Sequence, residues 1–441
     1  MTEPRRIVYL TAGAGGMYCG SCIRDNALTA GLQELGWDVT LLPLYTPIRT
    51  DDEDRSVDQV FFGGINVYLQ QKIPLFRYLP KFVDRWLDRP GLLRRVASRS
   101  VSVNAKELGE LTLSMARGED GNQRKEVREL VHWMREVAKP DLIVLTNLLV
   151  GGAIPALKRE VGVPILVTLQ GDDLFLDELE PPYHDLVLAE MRRLAAAADG
   201  FITFSEFYRD KMASLFEVDR DRFFLTPLGV DTEAIPAKES ANDSGIETIG
   251  YLARLAPEKG FDLLVDAFVK LARENESIRL RFAGWLAEKD RDFFNEQIAK
   301  LDSANLSDRY DHCEVDDHDA KVAFLHSLDC FAVPTRFDEP KGLYALEAWS
   351  AGLPVVVPDH GAFPGLIEAS GGGRLCAPED ASSLAEVLGN LVSDPDQARA
   401  AGGRGSRWVR EQASRAAMAS GTAEAFERVL GGMAGSVKAL R

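Results

Sequence analysis

Histidine is scarce in this chain of 441 residues, at six, and cysteine is scarcer still, at five. An odd handful of thiols in so long a chain does not make a disulfide scaffold, so a reducing compartment is expected. Basic charge is in deficit: 51 Lys and Arg face 68 Asp and Glu, a formal net charge of −17. That balance argues against general nucleic-acid binding, which needs a basic surface. A long apolar run is missing too. The opening MTEPRRIVYLTAGAGG turns to glycine after a few apolar residues, too few for a signal peptide. Leu142 to Leu157 is interrupted by Asn147 and Pro155 before it could cross a bilayer. The expectation is a cytoplasmic protein without a membrane span.

Apolar residues make up 46% of the chain, enough for folded domains, and the length exceeds what one core usually fills. Short β-rich runs alternate with amphipathic helical stretches. Ile7 to Leu10, Val39 to Leu44, Asp141 to Leu145, Pro164 to Leu169 and Phe201 to Phe204 read as strands of a doubly wound α/β sheet. The segment from Asp231 to Gly245, DTEAIPAKESANDSG, is polar and without apolar periodicity, so it reads as a linker. The alternation then restarts with Thr248 to Leu252, Ile278 to Ala283, Cys330 to Val333 and Leu353 to Val357. The expected organisation is a Rossmann-like domain over 1–230, a linker over 231–245 and a second such domain over 246–410. A helical segment over 411–441 would cross back to the first domain. Two such domains in series leave a cleft for a ligand.

Several short patterns bear chemistry. After the first strand, Gly13 to Gly16 let backbone approach a ligand, but Tyr18 breaks the dinucleotide pattern G-x-G-x-x-G, which disfavours a dehydrogenase. Cys19 and Cys22 have redox or metal spacing, yet no second pair completes a four-ligand site, and packing is the favoured role. In ARLAPEKG, Arg254 and Lys259 stand before a helix, where a guanidinium fork and a mobile ammonium suit a diphosphate. In FDEPKGLYALEAWSAGL, Glu339 and Glu347 form an E-x7-E element around Gly342 and Leu343, where a loop becomes a helix. A helix start offers unpaired N–H groups to an anion, and a carboxylate beside it accepts hydrogen bonds from hydroxyls. The stretch from Arg77 to Arg99 interleaves basic residues with Phe82 and Trp86, a composition compatible with an anionic membrane surface or with an ordinary solvated helix.

Taken together, ARLAPEKGFDLLVDAF followed by PTRFDEPKGLYALEAWSAGLPVV resembles glycosyltransferase family 4, the retaining GT-B enzymes, and the resemblance runs through most of the chain. It implies two Rossmann-like domains facing a central cleft and a nucleotide-diphosphate sugar as donor. It implies that Glu339 binds hydroxyls of the transferred sugar and Glu347 the ribose. Arg254 and Lys259 would neutralise the departing diphosphate, Gly342 and Leu343 would offer backbone N–H groups, and Gly15 and Gly16 would let the first domain approach the donor. Many members carry a His at the end of a first-domain strand; here Gln170 takes that position, and an amide cannot accept a proton as an imidazole can. No cofactor and no metal are expected.

The triplets Asp219-Arg220-Asp221 and Asp394-Pro395-Asp396 sit in charged turns and read as surface. His312, His318 and His326 do not match a standard zinc spacing and read as a solvated loop entering a helix. Two other readings share the architecture: a nucleotide-sugar 2-epimerase and a non-catalytic sugar-nucleotide binder. The base, sugar and linkage stay open, as does the acceptor, whether sugar, lipid-linked or small molecule.

Overall fold

The computed structural model describes residues 4–13, 20–48, 50, 53–57, 60–62, 105–238 and 246–439. Gly15, Gly16, Cys19, the basic stretch 77–99 and the linker positions 239–245 lie outside the described residues. Two compact units emerge: Met1–Pro227 with Met418–Arg441, and Leu228–Ala417.

In the first unit, strands β1 (Arg6–Thr11), β2 (Asp38–Pro43), β3 (Leu142–Leu145), β4 (Ile165–Thr168), β5 (Gly200–Thr203) and β6 (Phe223–Leu225) form one parallel sheet, ordered β2-β1-β3-β4-β5-β6. The run IVYL of β1 explains its central place. Successive side chains point to opposite faces of a sheet, and here both faces are covered. Val8 and Leu10 enter one cluster, with Leu130, Ile154 and Met191. Ile7 and Tyr9 enter another, with Leu28, Leu32, Met418, Ala419 and Phe426. The last three belong to the final helix, Arg415–Ala439, so that helix covers the first sheet although the second unit precedes it. Phe426 meets Trp37 edge to face at 5.8 Å. Cys22 is buried in the same cluster.

The second unit has strands β7 (Thr248–Leu252), β8 (Arg279–Ala283), β9 (Tyr310–His312), β10 (Cys330–Ala332), β11 (Val355–Pro358) and β12 (Gly373–Cys376), all parallel, in the order β12-β11-β10-β7-β8-β9. The chain runs outward from β7 to β9, then returns beside β7 as β10 and continues the other way. The order therefore reverses between β7 and β10, and ligands of open α/β sheets bind beyond the carboxyl ends of the strands at that reversal.

Three strands lack a clear sequence signal. β6 and β9 have three residues each, and β9 is an edge strand whose Asp311 and His312 are exposed. β12 carries Gly373 and Arg374, which dilute a β-like run. Positions 231–238 are firmly held by the second unit, despite their polar composition. Asp231 pairs with Arg415 at 2.6 Å, Ile235 is buried, and Ser350 Oγ–H donates to Ile235 O at 2.6 Å. The imidazoles of His318 and His326 donate from Nε2 to Ala234 O and Pro236 O at 2.9 and 2.8 Å. The helix they bound, His318–His326, is capped by Asp317, which accepts from Ala320 N–H. Asp219, Asp221, Asp394 and Asp396 are exposed. No helix among the described residues is long and apolar enough to cross a membrane.

Candidate functional site

The loop after β7 and the loop after β10 are built into each other. The first makes a short 3-10 turn, Pro257–Lys259, and ends at Gly260 with φ of 70°. The second reaches across to it: Thr335 Oγ–H and Arg336 N–H both donate to Glu258 O at 3.0 Å. The Arg336 guanidinium forks onto Asp262 at 2.8 and 2.7 Å, at the start of the helix Phe261–Glu274. A bidentate pair of this kind fixes direction as well as distance.

The consequence is a buried ion pair at the reversal point. Lys259 Nζ lies 2.9 Å from Glu339 Oε2, with 13% and 6% of the two side chains exposed. The Tyr344 hydroxyl donates to the same Oε2 at 3.1 Å, and Gly342 N–H donates to Oε1 at 3.3 Å. The ammonium also faces the rings of Phe337 and Tyr344, at 4.4 and 4.9 Å from their centres. Burial by itself would raise the Glu339 carboxyl; the Lys259 charge and hydrogen bond, the Gly342 N–H and Lys341 outweigh it and hold the carboxyl below its usual range. Tyr344 moves the other way, well above its ordinary value, through burial and the adjacent Glu339 charge.

Of the residues singled out from the sequence, Lys259, Glu339 and Gly342 thus meet in one cluster. Gly342 caps the helix Leu343–Ser350, which Leu343 opens. Glu347, on that helix, pairs instead with Lys321 at 3.0 Å, both side chains largely buried. Arg254 turns to Glu258 at 2.9 Å and stays 44% exposed, while its carbonyl accepts from the Tyr251 hydroxyl at 2.7 Å.

Gln170 belongs to the first unit, at the carboxyl end of β4. Its amide Nε2 donates to Thr146 O and Thr146 Oγ1, both at 3.0 Å, beyond the end of the neighbouring β3. Thr146 and Thr11 hydroxyls both donate to Asp25 Oδ2, and Asp25 pairs with Arg24 at 3.2 Å inside the fold. Asp172 ties the same two strand ends: Leu148 N–H donates to its Oδ1 at 2.6 Å and Gln170 N–H to its Oδ2 at 3.2 Å. Burial pushes the Asp172 carboxyl up to about 7, against those two N–H groups and with help from the neighbouring Asp173 charge.

A carboxyl raised on folding holds its proton in the native state where the unfolded chain has released it. Stability therefore falls as pH climbs from the ordinary carboxyl range toward about 7. Asp172→Asn removes this loss. The melting temperature of the variant relative to wild type is expected to rise between pH 5 and pH 8. A constant difference across that range would show that Asp172 does not titrate there.

Sequence reading missed Arg336, Asp262, Tyr344, Lys321, Asp172 and the Arg24–Asp25 pair. Tyr344 and Asp172 were each within two residues of a position already singled out, so proximity was a usable signal. Lys321 and Asp262 are joined to their partners by tertiary contact alone.

Two family models divide the chain. "Glycosyl transferase 4-like domain" matches residues 26–229 and "Glycosyl transferases group 1" matches 232–408. The chain belongs to the family 4-like glycosyltransferases. It is 26% identical over 266 residues to a glycogen synthase of Mycobacterium tuberculosis (strain CDC 1551 / Oshkosh), covering 59% of this chain and 62% of that protein. It is 25% identical over 220 residues to the D-inositol 3-phosphate glycosyltransferase of Nocardia farcinica, covering 48% and 49%. The matches thus span about half to three fifths of these curated relatives. Among solved structures, Anabaena Alr3699/HepE in complex with UDP superposes with a TM-score of 0.68 at 15% identity, over 96% of this chain and 100% of that one. At that identity the likeness speaks for the fold: this family 4-like glycosyltransferase has the two Rossmann-like domains of the GT-B type.

Proposed function

We propose that this glycosyltransferase moves a sugar from a nucleotide-diphosphate sugar to an acceptor with retention of anomeric configuration and without a metal ion. The supporting observation is the buried Lys259–Glu339 pair at the strand-order reversal, with the Gly342 amide aimed at the same carboxylate. A donor there would present hydroxyls to Glu339 and diphosphate oxygens to Lys259. The UDP held by the Anabaena protein supports the same donor class.

In this reading, lengthening of the bond from the anomeric carbon to the phosphate oxygen builds positive charge on the sugar and negative charge on the leaving diphosphate. Lys259 and the N–H of Leu343 meet that charge from fixed positions, with little reorganisation; Arg254 joins them on leaving Glu258, and Gly342 acts through Glu339, to which its N–H donates. Glu347 takes the ribose. The diphosphate itself accepts the acceptor's proton on the face it leaves. The protein works in the cytoplasm, and the basic stretch 77–99 gives a lipid-linked acceptor a place at the inner membrane surface.

The test offers purified protein UDP-glucose, ADP-glucose and GDP-mannose with sugar and lipid-linked acceptors in the presence of EDTA. Nucleoside diphosphate release and a product of the donor's anomeric configuration are expected. An inverted product overturns retention, and activity lost to EDTA overturns metal independence. Conversion of the donor to its 2-epimer, or binding without turnover, would favour the two other readings.

A further inference from the structure

Five large hydrophobic side chains are exposed among the described residues, and Trp285 is the one aromatic among them, with 49% of its surface open. An indole so exposed forgoes burial that its neighbours obtain. Phe282, three residues earlier, is fully buried among Phe261, Phe294 and Tyr310; Trp285 lies outside that ring cluster.

Its backbone is fixed against the site. Trp285 follows the end of β8, and β8 is the neighbour of β7 on the side away from β10. Leu255 N–H donates to Trp285 O at 3.0 Å, and Ala253 N–H donates to Ala283 O at 3.3 Å. Between them Gly284 has φ of 148°, and a Cβ there would fall 1.7 Å from Ala253 O. Only glycine permits that approach. The backbone of Trp285 is therefore held beside the loop that carries Arg254 and leads to Lys259, about one strand spacing (~5 Å) along the carboxyl edge of the sheet.

We propose that Trp285 is the stacking platform for the nucleobase of the donor. The inference rests on the reading that this site takes a nucleoside diphosphate. If Lys259 holds the diphosphate at the β7–β10 reversal, the nucleoside must extend to one side of it. Toward β8 it comes to Trp285, whose backbone is held by the clamp at Gly284 and whose indole is half exposed. Stacking on a π-face is tolerant of base identity, so Trp285 contributes affinity while leaving the choice of base to polar contacts elsewhere.

The experiment titrates wild type, Trp285→Ala and Trp285→Phe with UDP, ADP, GDP and inorganic pyrophosphate by calorimetry. For each nucleoside diphosphate that wild type binds, Trp285→Ala should weaken affinity about tenfold, as loss of one base-aromatic stack does, and Trp285→Phe should restore most of it. Pyrophosphate, which has no base, should bind both variants as it binds wild type. Unchanged nucleoside diphosphate affinity in Trp285→Ala overturns the platform and leaves the proposed donor class standing. Equal weakening of pyrophosphate also overturns it, because the indole would then act by holding the loop. Binding of neither diphosphate nor pyrophosphate to wild type overturns the donor reading and the platform with it.

Discussion

Lys259→Ala is expected to lower turnover about a hundredfold, the usual consequence of removing one preorganised charge partner from a transition state. The loss should fall on kcat more than on donor affinity, because charge on the leaving diphosphate is greatest as the bond breaks. The buried setting adds a second signature. Without the ammonium, Glu339 keeps donors from Tyr344 and Gly342 but loses its counter-charge. A stability loss of about 1–3 kcal/mol follows from leaving a buried charge short of one partner. The carboxyl held low in wild type contributes stability above the unfolded carboxyl pKa, and that contribution disappears as pH falls through the folded value. The gap in melting temperature between wild type and Lys259→Ala should therefore narrow below about pH 4. Turnover within a fewfold of wild type in a folded variant would remove Lys259 from the mechanism.

Gly260→Ala should be strongly damaging for so small a change. Gly260 has φ of 70°, and a Cβ there would lie 1.9 Å from Pro334 O. The left-handed conformation costs a non-glycine residue about 1–2 kcal/mol, and the contact is with backbone, which cannot rotate aside. The loops after β7 and β10 must move apart, for a total cost of about 3 kcal/mol. For a unit of this size that corresponds to a fall in melting temperature of about 6–12 °C. Activity should fall further than stability explains, since the adjacent Lys259 would be drawn away from Glu339. Gly365→Ala is the control: a Cβ there meets nothing within 4 Å. Equal behaviour of the two variants would show that the two loops are not locked at Gly260.

Much of the fold was legible because its central strands are buried on both faces. Runs such as IVYL in β1 and VVV in β11 have no alternative to a covered parallel sheet. The short strands β6, β9 and β12 were not legible, because they are too brief or too polar to stand out and are defined by the strand they pair with. The site divides similarly. Lys259 and Glu339 were recognisable from local pattern, and they meet. Arg254 and Glu347 were singled out by the same patterns, yet each has its own partner, Glu258 and Lys321. For Gln170 only the residue type was readable locally, and the bonds that orient its amide come from Thr146, just past the end of β3.

The amino-acid sequence alone determined two α/β domains, the E-x7-E element and the cations of ARLAPEKG, because each depends on residues close together in the chain. Tertiary structure alone decided the strand order that places β10 beside β7, the coupling of Arg336 to Asp262, and the packing of the final helix on the first sheet. The physical reason is separation along the chain: Lys259 and Glu339 are joined across 80 positions, and only the reversal of strand order brings their loops to one edge.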